Sequence, residues 1–125
     1  MVLLLDTAIV IWALLDAPAL TENSRKIIQN AERCLVSSIS ISEIEIKRSI
    51  GKLTIPDLYI DKIFESGFDG LAFDFDDAMG LGRLPLHHKD PFDRMLISQA
   101  SIKGLTILTN DAKFKDYNLS VLLNE

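Results

Sequence analysis

The chain has a single cysteine, Cys34, among 125 residues, so no internal disulfide holds it together. Cys34 lies in the run Cys34-Leu35-Val36-Ser37 and reads as a small buried side chain, not a reactive thiol. No apolar run approaches the roughly 20 residues that cross a bilayer. The longest, Val2 to Leu5 and Ile9 to Leu15, exclude a helical membrane span. No basic region leads into a small-residue cleavage site, and Asp6 interrupts the opening apolar stretch, so the expected location is the cytoplasm. Also missing are a glycine-rich phosphate loop, a Gly-x-Ser-x-Gly elbow and any Ser/His/Asp arrangement, which removes nucleotide binding and serine nucleophiles of those types. Positive charge is in deficit: 13 Lys and Arg against 18 Asp and Glu leave a net charge of −5. That balance argues against nucleic acid, unless several carboxylates share bound divalent ions that reverse the local charge. Lys47, Arg48, Lys52, Lys89 and Arg94 would then edge the site. Repeats, linkers and low-complexity tracts are absent, and with 48% hydrophobic residues the expectation is one domain over residues 1–125.

What is present is alternation. Val2 to Leu5 reads as a strand buried on both faces, Ala8 to Leu15 as a helix stopped by Pro18, and a second helix runs from Thr21 or Asn23 to about Ala31. Cys34 to Ser37 is a second strand, and Ile39 to about Ile50 a helix ended by Gly51. Pro56 opens a helix to about Ser66, Leu71-Ala72-Phe73 is strand-like, and Asp76 to Leu81 is a short helix before a loop from Gly82 to Lys89. Pro91 to Lys103 is the best-marked helix, with Asp90 as its cap and Gly104 beyond its end. Leu105 to Thr109 and Val121 to Leu123 complete the strands. The order implies a three-layer α/β domain with a mainly parallel sheet, whose ligands bind beyond the carboxyl ends of the strands.

Four acids fall where such loops converge: Asp6, Glu43, Asp93 and Asp111. Glu43 shares a helical stripe with Ile39, Ile46, Ile50 and Leu53. If Ser38 to Ser42 instead continued as a strand, Glu43 would still lie on the apolar face. A buried carboxylate needs a cation, a hydrogen-bond network or a proton. Asp93 flanks Phe92, Leu96 and Ile97, although an acid in a first helical turn also complements the macrodipole. Capping is a sufficient explanation of Asp90, and Asp111 can cap the turn at Ala112-Lys113-Phe114. His87 and His88 lack a metal-ligand spacing and read as a solvated or locally hydrogen-bonded loop. Ile41 and Ile44 lie off the acid-bearing stripe, either as a patch for a partner or as monomer core.

The stretches Leu3-Leu4-Leu5-Asp6-Thr7, Ile41-Ser42-Glu43-Ile44, His88-Lys89-Asp90-Pro91-Phe92-Asp93-Arg94 and Leu108-Thr109-Asn110-Asp111 closely resemble PIN-domain proteins of the VapC toxin type. The resemblance runs through the whole chain in order. It implies a PIN-like α/β/α fold and a Mg²⁺- or Mn²⁺-dependent endoribonuclease that cuts RNA as the toxin of a toxin–antitoxin pair. It also implies a homodimer and a small antitoxin that covers the groove. By position, Asp6, Glu43 and Asp93 match the family's central acids, Asp111 its more variable fourth and Asp90 an extra acid. The expected metal ligands and catalytic set are Asp6, Glu43, Asp93 and Asp111, with Asp90, Thr7 and Ser42 as auxiliaries. Two other readings remain: a phosphate-accepting receiver-like module, disfavoured because Thr7 and Ala8 follow Asp6, and a catalytically idle PIN-like binding module. A haloacid dehalogenase-type phosphatase would need Asp-x-Asp after the first strand, and position 8 is Ala.

Overall fold

The computed structural model describes all 125 residues. Its strands are β1 (Val2–Leu5), β2 (Arg33–Ser37), β3 (Asp69–Leu71), β4 (Thr106–Thr109) and β5 (Val121–Leu123). The helices are α1 (Thr7–Leu14), α2 (Glu22–Asn30), α3 (Ser38–Ser49), α4 (Tyr59–Glu65), α5 (Phe75–Gly80) and α6 (Pro91–Lys103). Short 3-10 turns cover Leu81–Arg83 and Ala112–Asp116. Every strand pair is parallel, in the order β3-β2-β1-β4-β5. A receiver domain is wound 2-1-3-4-5, so the strand order argues against that alternative.

Alternation along the central strands separates two apolar layers. Leu3 and Leu5, with Val36 and Leu108, pack against Ile9, Val10 and Leu14 of α1 and Tyr59 and Ile63 of α4. Leu4, Leu35 and Ile107 face the other way, onto Leu96, Ile97 and Ala100 of α6. Leu3, Leu4 and Leu5 have no accessible surface. Truncating any one of them to Ala should cost about 2–5 kcal/mol. No helix is long and apolar enough to cross a membrane. Cys34 is buried, and burial pushes its thiol up from the ordinary value.

Helix ends follow local chemistry. Thr21 caps α2 through Ser24 N, and Asp90 caps α6 through Phe92 N and Asp93 N. At the far end of α6, Gly104 adopts φ 67°, a left-handed conformation open to glycine at little cost. Gly80 is required for a different reason: a Cβ there would stand 2.5 Å from Ser98 Oγ, where α5 lies against α6.

Three expectations need correction. β3 is Asp69–Leu71, not Leu71 to Phe73, because parallel pairing aligns Leu35 with Asp69 and Ser37 with Leu71. The apolar Phe73 instead leads into α5, its N–H donating to Ser38 Oγ. Pro56 precedes a turn, and α4 starts three residues later at Tyr59. In α3 the buried side is Ile39, Ser40, Glu43 and Ile44, whereas Ile46 and Ile50 are exposed because only the N-terminal half of the helix is covered. Ile44 therefore belongs to the core and supplies no partner surface; Ile41 packs partly against the same cluster.

Candidate metal centre

The winding direction reverses between β1 and β4, and such a switch point opens a crevice at the carboxyl ends of the strands. Asp6 stands there. It caps α1, with Thr7 N donating to Oδ1 at 2.7 Å, while Thr109 Oγ1 at the end of β4 donates to Oδ2 at 2.6 Å. Both carboxylate oxygens are thus fixed, one by the first residue of α1 and the other by the end of β4. Thr7 Oγ1 shares a hydrogen bond of 2.9 Å with Ser40 Oγ, joining α1 to α3.

One helical turn beyond Ser40, α3 presents Glu43 to the same space, and the N-terminal turn of α6 presents Asp93 with its cap Asp90. Asp6, Thr7, Glu43, Lys47, Asp90 and Asp93 line a cleft of about 220 Å³ together with Ala8 and Ile11. Lys47 Nζ contacts Glu43 Oε2 at 2.7 Å; Glu43 Oε1 is buried with no partner at all. A buried carboxylate oxygen without a donor carries a desolvation cost that a cation would remove.

The electrostatics repeat that deficit. Burial pushes the Asp93 carboxyl up to about 8, and the charges of Asp6, Asp90, Glu43 and Asp111 add to it. Asp6 is also raised, first by burial and then by Glu43 and Asp111, against the lowering bonds from Thr109 and Thr7. Lys47 is raised chiefly by its hydrogen bond to Glu43, with Asp90 and Asp93 contributing charge. Asp111 behaves differently: burial raises it, but bonds from Lys113 N–H and His88 outweigh this and leave it below the usual range.

Asp111 is joined to the cleft acids through His88. His88 is buried, and its Nε2 lies 2.8 Å from Asp111 Oδ2 and 3.0 Å from Asp93 Oδ2. His88, Asp93 and Asp111 thereby form a second cluster beside the cleft, with ligand-type atoms within 4.8 Å of one another. Of the two expected readings of this loop, solvated or locally hydrogen-bonded, solvation fails for His88 because its ring packs edge-on to Phe114 and its N–H donates to the Tyr117 hydroxyl, while Asp90 N supplies a local hydrogen bond to Nδ1. Spacing along the chain carried no sign of the Phe114 and Tyr117 contacts. His87, by contrast, is exposed.

Ser42 does not join the site. It is exposed, and its hydroxyl donates back to Ser38 O; Ser40 takes the inward position. Of the basic residues expected at the rim, Lys47 reaches the cleft. Arg48 turns to Glu45 and Asp57, and Arg94 to Pro85 O and the Tyr117 hydroxyl.

A parallel α/β sheet with a knot of under-compensated carboxylates at its switch point defines an α/β domain built around an acidic centre. The chain belongs to the PIN domain family, whose model matches residues 3–119. Among solved structures, it is similar to VapBC2 from Rickettsia felis bound to a DNA fragment from its promoter, at 22% identity and TM-score 0.76, covering 100% of both chains. It is also similar to DNA-bound VapBC from Salmonella typhimurium, at 22% identity and TM-score 0.73, covering 98% of each chain. FitAcB from Neisseria gonorrhoeae gives 20% identity and TM-score 0.67 over 96% of each chain. No curated protein matches the chain.

Proposed function

We propose that the protein is a divalent-metal-dependent endoribonuclease and the toxin of a toxin–antitoxin pair. The observation that carries the metal reading is Glu43 Oε1, buried and unpartnered in the cleft shared by Asp6 and Asp93. The donor set fits the ion: oxygen ligands, few in number, with room for water, as suits Mg²⁺ or Mn²⁺. Asp6, Glu43 and Asp93 would hold it, with Asp111 completing the set directly or through water and Asp90 as an auxiliary. When bound, such an ion acidifies a coordinated water and offsets charge on a scissile phosphate.

The chain's own groups prepare that chemistry. Thr109 and Thr7 hold Asp6 by both oxygens, so its orientation is set before any ligand arrives. Lys47, about half exposed at the rim, supplies an ammonium beside Glu43 that can meet a phosphate. A site of this kind grips the phosphate backbone irrespective of base.

The structural likeness to VapBC complexes supports a small antitoxin as partner. A homodimer is part of the same reading, and Phe75 and Met79, both exposed on α5, offer apolar surface for it. The test is cleavage of RNA by the purified protein with Mg²⁺ or Mn²⁺, set against EDTA and Asp6→Asn. Activity lost in both controls is expected, and unchanged cleavage by Asp6→Asn would overturn the assignment. Co-purification with a small neighbour-encoded protein tests the pairing; a lone, stable monomer counts against it.

A further inference from the structure

We infer that His88 is a positioning residue of the metal centre, holding Asp93 and Asp111 through its Nε2–H, and is not itself a metal ligand. The inference rests on the reading of the carboxylates as a cation site.

Composition points the other way, since a histidine with two aspartates is a common donor set for a transition metal. Hydrogen bonding decides between the two roles. Asp90 N donates to His88 Nδ1 at 3.1 Å. An imidazole nitrogen that accepts an N–H carries no proton, so the ring proton is on Nε2, the atom facing Asp111 Oδ2 and Asp93 Oδ2. A ligating histidine has the reverse arrangement: its lone pair faces the metal and the other nitrogen donates to a partner. Flipping the ring does not rescue that role. A flip would set a carbon against Asp90 N and another against the two carboxylates, leaving an amide unpaired.

The backbone keeps this orientation. Asp90 Oδ1 is committed to Phe92 N and Asp93 N, His88 N is pinned by the Tyr117 hydroxyl at 2.9 Å, and the ring stands edge-on to Phe114 at 5.9 Å between centroids. One N–H therefore lies between acids from the start of α6 and the loop after β4. It holds Asp111 beside Asp93 and reduces their mutual repulsion.

Nitrogen-15 NMR of the metal-free protein should show the His88 proton on Nε2, and the signal should persist on saturation with Mg²⁺. A proton on Nδ1, or loss of the Nε2–H on saturation, would overturn the inference. Two substitutions separate the functions of the ring. In His88→Gln the amide can reach the Nε2 position and donate to the acids; in His88→Asn only the Nδ1 acceptor is replaced. Calorimetric Mn²⁺ titration should find His88→Asn weakened about tenfold and His88→Gln within about threefold of the unsubstituted protein. Equal affinity in all three proteins, or equal loss in both variants, would refute it. Failure of the unsubstituted protein to bind Mn²⁺ would instead remove the cation reading and this inference together.

Discussion

Near its N-terminus α6 helps build the acidic cleft, and near its C-terminus it meets a second pair of acids, Asp74 and Asp77. Asp77 is the more deeply buried, with no accessible surface, whereas the Asp93 side chain keeps 17% of its own. Depth of burial therefore does not distinguish the two regions. Asp77 Oδ2 accepts from Asp74 N at 3.1 Å and Gln99 Nε2 at 3.2 Å, closing a capping box on α5. Its Oδ1 lacks an aligned hydrogen bond but has the Lys103 ammonium 3.1 Å away. Lys103 also binds Asp74 and holds that carboxyl below its usual range. In the cleft, by comparison, Lys47 is the one basic side chain of the lining and it contacts Glu43, while Asp93 is displaced to about 8. What separates the two regions is thus how fully their carboxylates are compensated, not how deeply they are buried.

Opposite substitutions should break the comparison most visibly. Asp6→Asn is expected to lower Mn²⁺-dependent cleavage by more than about 100-fold, beyond the 10–100-fold typical of an outer partner. The same change should leave the metal-free protein as stable as before or more so, since it removes a charge that burial disfavours. Asp77→Ala should do the reverse: cleavage continues, and chemical denaturation shows a loss of about 1–3 kcal/mol from the unpaired Asp74 N–H and the bond removed from Gln99. Destabilisation by both variants alike would erase the distinction drawn between the regions.

What was legible in the sequence divides along a similar line. Asp6, Asp90, Pro91 and Gly104 declare themselves because strand ends and helix caps are local chemistry. The parallel sheet and the convergence on Asp6 follow from alternation plus the rule that ligands sit beyond parallel strands, whereas the strand order is set by pairings that alternation does not fix. β3 was misplaced because a three-residue edge strand is set by pairing with β2, while the more apolar Leu71-Ala72-Phe73 attracts the assignment. Ile46 and Ile50 obey helical periodicity yet face solvent, since period alone cannot tell how far along a helix the core extends. The surroundings of His88 and Asp77 are only partly local: beside near partners such as Asp90 N and Asp74 N, they meet Asp111, Gln99 and Lys103, each more than twenty residues away along the chain.

Acidity offers a smaller and more graded test. The Asp93 carboxyl moves from an unfolded value of 3.8 to about 8 in the folded protein. A raised carboxyl means that the folded state holds the proton more tightly, so its stabilising contribution is complete below about 4 and is lost as pH rises through 8. Thermal unfolding of the metal-free protein should therefore weaken across that window, apart from changes due to other groups. Mg²⁺ should restore the loss by replacing the proton, raising the midpoint by a few degrees at pH 8 and by less at pH 5.5, where it must displace hydrogen ions. Asp6→Asn should abolish the Mg²⁺ effect, whereas Asp77→Ala should retain it. An equal Mg²⁺ shift at both pH values would argue that the ion binds elsewhere.

The two lysines give the smallest expected effect. Lys103 is a quarter exposed and bridges Asp74 and Asp77, whereas Lys47 is 46% exposed and meets only Glu43, four residues earlier on its own helix. Only the lysine end of that pair is exposed, so Lys47→Met leaves the buried Glu43 carboxylate with neither oxygen paired and should lower the unfolding midpoint by a few degrees. Lys103→Met should lower it as well, because it strips a cation from the fully buried Asp77. For metal binding the two lysines part. The Lys47 ammonium occupies Glu43 Oε2 and must share or release it when a divalent ion enters, so its removal should tighten Mn²⁺ binding by about two- to threefold, under 1 kcal/mol. Lys103→Met should leave that affinity unchanged. Weaker Mn²⁺ binding in Lys47→Met would mean that the lysine orders Glu43 for the ion instead of competing with it.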